Sequence, residues 1–84
     1  MVPSVVPMLQ PTVAPDLKAH GPAIRELRIR AGLSLEQVAV HIGVTRQFLS
    51  RLERNQRGAQ RETLEKLAEA IGAPFDVITY PEPR

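Results

Sequence analysis

Between Gly21 and Ile71 apolar side chains return at intervals of three and four, the spacing that turns one face of an α-helix toward a core. Four such runs stand in order, with Gly32, Gly43, Asn55 and Gly72 as the punctuation after them. The first enters at Gly21-Pro22, where proline suits the opening turn, and carries Ile24 and Leu27 inward. Its stripe extends back to Leu17 if the helix begins near Asp16. The second starts at a capping box, Ser34 with Gln37, flanked by a Leu33–Val38 hydrophobic staple. Val38, Ala39 and Ile42 face inward, and the helix ends at Gly43 after barely two turns, too short to stand unpacked. The third is capped by Thr45. It buries Phe48, Leu49 and Leu52 and presents Arg46, Gln47, Ser50, Arg51 and Arg54 on the other face. Asn55 suits the left-handed residue that stops it. The fourth sends Leu64, Leu67, Ala68 and Ile71 inward, with Glu62 and Lys66 paired outside.

The ends read differently. Pro3, Pro7, Pro11 and Pro15 recur every fourth residue and block both helix and central strand, so residues 1–16 are expected to form a disordered, polyproline-like tail. At the other end, five of the six residues from Phe75 to Tyr80 favour strands, while Pro74 is equally able to open a one-turn helix. The reading leans to a strand, and an isolated strand needs an edge. The same segment of a second subunit would supply one, which makes Phe75, Val77, Ile78 and Tyr80 candidate dimerisation residues. The expected organisation is a tail over 1–16, one all-α domain of four to five helices over 17–80, and a short tail over 81–84. A core drawn from so few residues is marginal alone, and pairing with a second copy would support it.

Composition narrows the chemistry. The chain of 84 residues has no cysteine, which excludes disulfides and thiolate metal sites, and only 4% aromatic residues against 43% hydrophobic. His20 and His41 have no ligand-type spacing, so no metal and no cofactor is expected. No nucleophile, carboxylate pair or glycine-rich phosphate loop stands in a catalytic setting, and an enzyme is not expected. No apolar run is long enough for a membrane span, and prolines interrupt the stretch before Lys18, where a signal peptide would lie. The expected location is the cytoplasm, at the nucleoid.

The net charge of +2 is uninformative, but its distribution is not. Thr45 to Arg61 holds five arginines and a single acid, Glu53, whereas Glu62 to Glu69 holds three glutamates and one lysine. Basic charge gathered on one helix and the loop after it suits an anionic partner. Two short helices about a glycine turn, the second with a polar and basic outer face, form a helix-turn-helix pattern. Ala39 is small where the helices would cross, Gly43 permits positive φ at the turn, and Val44, Leu49 and Leu52 would lock the second helix. Phe48 falls on the inner side, where it packs rather than stacks on a base.

The stretch GLSLEQVAVHIGVTRQFLSRLERNQRG, residues 32–58, resembles the lambda-repressor-like family (Cro-type, xenobiotic-response-element type) of helix-turn-helix DNA-binding proteins. Gly32-Leu33-Ser34, Ala39, Gly43-Val44, Ser50, Leu52-Glu53 and Leu64 carry the likeness, which runs from about Gly21 to Gly72. Val44 to Ser50, with the strand-like end, is also similar to small antitoxin repressors of toxin–antitoxin operons. The resemblance implies a five-element helical fold that binds double-stranded DNA as a homodimer at inverted repeats and represses nearby promoters. Carried over by position, Arg46, Gln47, Ser50 and Arg51 read bases, with arginine suited to guanine and glutamine to adenine. Thr45, Arg54, Arg57, Arg61 and His41 are the phosphate candidates, and Glu53 has a structural role. Leu35 departs from the family's glutamine and loses a phosphate contact, Asn55 replaces a glycine, and Arg61 stands where an apolar residue is common. Two alternatives stay open: an antitoxin-type regulator that also holds a toxin or another regulator, and a protein-interaction module that kept the fold without the DNA contacts.

Overall fold

A computed structural model describes residues 16–80. The Pro-rich tail expected over 1–16 lies outside the described residues except for Asp16, as does the tail expected over 81–84. Five helices follow in order: α1 Gly21–Arg30, α2 Leu35–Ile42, α3 Arg46–Glu53, α4 Arg61–Ile71 and α5 Phe75–Ile78. The described residues contain no sheet, only two isolated antiparallel bridges, Leu17 with Ala59 and Ala19 with Thr79.

The expected helix signals operate as read. Ser34 Oγ accepts from the Gln37 N–H at 3.0 Å, and the Gln37 amide oxygen accepts from the Ser34 N–H at 2.8 Å. Gly43 ends α2 in the left-handed conformation, φ 80°, and the chain re-enters at once as Val44 N–H donates to the Ala39 carbonyl at 2.9 Å. Glu62 and Lys66 pair on the outside of α4 at 3.7 Å. The apolar faces meet in one core of Ile24, Val38, Ala39, Ile42, Leu49, Leu52, Leu64, Leu67, Ala68 and Ile71, to which Ala19, Ala59 and Ile78 are added. Helix α2 packs against α3 and α4, and α1 closes over α3.

Two expectations are corrected. Helix α1 does not reach back to Leu17: residues 16–20 are extended and form a strap across the molecule. Leu17 exchanges both backbone hydrogen bonds with Ala59, at 2.8 and 3.1 Å, and His20 N–H donates to the Ile78 carbonyl at 2.9 Å. Gly58 admits the strap, since a Cβ there would collide with the Leu17 carbonyl oxygen. The C-terminal segment is a single helical turn, α5, and not a strand. Tertiary burial overrides its strand propensity: a turn opened by Pro74 drops Ile78 fully into the core and lets the Thr79 hydroxyl donate to the Phe75 carbonyl at 3.0 Å. Thr79 finds its extended partner in Ala19 of the same chain, so no second subunit is needed to pair it.

Candidate nucleic-acid interface

Helix α3 is held from beneath. Leu49 and Leu52 are wholly enclosed, and Thr45 Oγ1 accepts from the Phe48 N–H at 3.0 Å, fixing the first turn. At the last turn Glu53 is buried and takes Arg28 of α1 bidentately, Nε at 2.7 Å and Nη2 at 3.0 Å. The third guanidinium nitrogen donates to the Leu33 carbonyl at 2.9 Å. One arginine therefore ties α1, the α1–α2 loop and the end of α3 together. The structural role expected of Glu53 is thus visible. Its partner was not foreseen, although the signal existed: Arg28 lies four residues after Ile24, on the apolar stripe of α1, where an unpaired cation would not be tolerated.

Asn55, at φ 59°, ends this unit in the left-handed conformation as expected. Its side chain does a second thing that the sequence did not disclose. Oδ1 accepts from the Gly21 N–H at 2.9 Å, capping α1 from across the molecule. Close approach explains the glycine, because a Cβ at Gly21 would come within 2.5 Å of the Glu53 carbonyl oxygen and 2.6 Å of that of Leu52.

On this support, Arg46, Gln47 and Arg51 are exposed and Ser50 half-buried on the outer face of α3. None of the side chains of Arg46, Gln47 and Arg51 is engaged by another group among the described residues. The phosphate candidates are placed less uniformly. Arg54 is exposed and folds back on its own helix, Nε donating to the Ser50 carbonyl at 3.3 Å. Arg57 lies flat on Phe48 with the guanidinium carbon 3.7 Å from the ring centroid, so this half-buried ring has core on one side and a cation on the other. Arg61 pairs with Glu65 at 3.3 Å and lies over Phe75 at 4.7 Å. His41 is exposed at the end of α2, and Leu35 packs against the core, as its apolar side chain requires.

The four dimerisation candidates do not share one surface. Ile78 is fully enclosed in the core of its own chain and has no area to offer a partner. Phe75 is half-buried, whereas Val77 and Tyr80 are exposed. The Tyr80 ring also rests on His20, with centroids 3.7 Å apart. Among the described residues no cluster of three His, Cys, Asp or Glu is placed to hold a metal ion, and no helix is long and apolar enough to cross a membrane.

A capped two-turn helix, a left-handed glycine turn and a second capped helix with an unpaired basic face define a helix-turn-helix domain. Residues 24–78 match the helix-turn-helix family HTH_3, and the chain belongs to that family. It is 34% identical over 65 residues to the HTH-type transcriptional repressor RghR of Bacillus subtilis, a match covering 76% of this chain and 48% of RghR. The chain thus spans about half the length of that relative. The restriction-modification controller protein C.AhdI of Aeromonas hydrophila superposes with a TM-score of 0.63 at 36% identity, over 67% of this chain and 85% of that one. The Bacillus subtilis biofilm regulator SinR, solved in complex with DNA, superposes with a TM-score of 0.61 at 30% identity, over 66% and 89%. These relatives are transcriptional regulators rather than enzymes, in agreement with the absence of catalytic motifs.

Proposed function

We propose that this chain is a sequence-specific DNA-binding repressor that places α3 in the major groove and acts as a homodimer on an inverted-repeat operator. The observation that carries the reading is the pairing of a rigid base with an unengaged outer face. Glu53, Leu49 and Leu52 fix α3, while Arg46, Gln47 and Arg51 extend from it with their polar groups unused. Long cations left unpaired on a helix clamped this firmly suit a partner that supplies anionic and base-edge acceptors. Ser50 would read bases beside them, and Thr45, Arg54, Arg57, Arg61 and His41 would serve as backbone contacts. SinR seen on DNA and RghR named as a repressor support the same assignment. Two copies would present their α3 helices to half-sites about 34 Å apart, one turn of the duplex.

The test is binding to the DNA upstream of the protein's own gene and to a scrambled duplex, each at about 50 and 200 mM salt. A preference of about a thousandfold or more that survives the higher salt is expected. Replacing Arg46, Gln47 and Arg51 together by alanine should abolish it in a protein that still melts cooperatively; unchanged affinity in the folded variant refutes the reading. Arg54→Ala should weaken all sequences alike and lower the salt slope by about one.

A protein partner is the second reading, and the structure of the similar protein SinR in complex with the protein SinI favours it. A toxin-type partner, or another regulator, would then hold the same domain that reads the operator.

A further inference from the structure

We propose that Asp16 is a resident competitor for the DNA backbone: its carboxylate stands beside Arg57 in the free protein and contends with a phosphate for that arginine's charge. The inference rests on the DNA-binding reading above and adds a regulatory residue to it.

Arg57 is held in place on three sides. The Phe48 ring lies beneath the guanidinium at 3.7 Å, Nε donates to the Gly58 carbonyl at 2.9 Å, and Nη2 faces Asp16 Oδ2 at 3.7 Å. The other Asp16 oxygen accepts from the Gln60 amide at 2.9 Å. Phe48 belongs to the first turn of α3, so the stack sets Arg57 beside the end of the helix that enters the groove. Nη2 shares its edge of the guanidinium with Nε, so the carboxylate stands at that edge near the Gly58 carbonyl, and its charge offsets what the outer nitrogens present to a phosphate. A phosphate oxygen has the same charge and the same acceptor geometry.

The strap keeps Asp16 in this position whether or not the ion pair is strong. Leu17, the next residue, exchanges two backbone hydrogen bonds with Ala59, and Gly58 lets its carbonyl close in. The pair itself is partly open to solvent, its side chains 33% and 45% exposed. An ion pair of that exposure is weak, so a duplex can displace it. The displaced carboxylate stays tethered near the duplex and collects a cation. That uptake offsets the counterion released where Arg57 meets the phosphate.

The experiment compares the full chain with Asp16→Asn, which keeps the acceptor for Gln60 and removes only the charge, on a scrambled duplex across about 50–200 mM salt. The variant should bind about three- to tenfold more tightly at the low end, with a salt slope steeper by about one. Loss of one acid also raises the general attraction to DNA, so the same change is made in an Arg57→Gln background. There the gain should shrink to that general part. A gain undiminished without Arg57 overturns the competition, as does identical affinity and slope for Asp16→Asn and the parent chain. If neither protein binds any duplex, and the Arg46, Gln47 and Arg51 triple variant behaves no differently, the DNA-binding reading fails and the proposal falls with it. Equal melting temperatures of the two proteins check that the fold is not the variable.

Discussion

Arg28 and Glu53 form the one buried ion pair among the described residues; both carboxylate oxygens accept from Arg28, which also donates to the Leu33 carbonyl. Removing one member strands the other charge in the core, so Glu53→Ala or Arg28→Ala should cost about 3–5 kcal/mol, read by urea denaturation. Replacing both with apolar residues of similar volume, Arg28→Met with Glu53→Leu, should recover much of that loss. Asn55 allows two of its contributions to be separated. Asn55→Gly keeps the left-handed backbone and forfeits only the bond to the Gly21 N–H, for about 1 kcal/mol. Asn55→Ala loses that bond and adds the left-handed penalty of about 1–2 kcal/mol, so its melting temperature should fall clearly below that of the glycine variant. Equal losses would show that the cap to Gly21, rather than the left-handed backbone, is what Asn55 supplies.

Among the elements, α2 and α3 were legible almost to the residue, because their signals are local. A capping box, a threonine cap and a glycine stop act over four or five positions, and the structure places each as the sequence implied. The same locality explains the failures. The strap and α5 depend on partners far away in sequence: Leu17 on Ala59, Thr79 on Ala19, and Ile78 on the core that α5 reaches against α1 and α4. No window of neighbouring residues contains that information, and strand propensity alone pointed Phe75 to Tyr80 the wrong way. The outer face of α3 could be read for the same reason as its caps, whereas Arg57's stack on Phe48 and its approach to Asp16 could not. One consequence concerns α5, which is core rather than appendage. Ile78→Ala should destabilise the whole domain by about 2–5 kcal/mol in thermal or chemical unfolding. A loss under 1 kcal/mol would mean that the turn contributes little.

Across the whole molecule charge is segregated. Arginines collect on α3 and the loop after it, while Glu62, Glu65 and Glu69 line the outside of α4. Such a dipolar surface orients the basic side toward a polyanion before contact. In the proposed homodimer the C-terminal contact would fall to the exposed Val77 and Tyr80, since Ile78 is committed inward. Val77→Glu with Tyr80→Ser should therefore shift sedimentation toward monomer without loss of helicity; an unchanged sedimentation coefficient would place the interface elsewhere. The strap has a further consequence. Helix contacts such as α2 with α3 join neighbours in sequence, but the two bridges tie the residues before α1 to the loop after α3 and to the residues after α5. Closing those long loops carries the larger entropic cost and few bonds hold the strap, so it is expected to dock after the helices have assembled and to let go before they melt. Amide protons of Leu17, His20, Ala59 and Tyr80 should accordingly exchange as a group, faster than those of Leu49 and Leu64 and with a common free energy of opening. The domain would then pass through a partly opened form in which its helices stand while its two ends are unfastened.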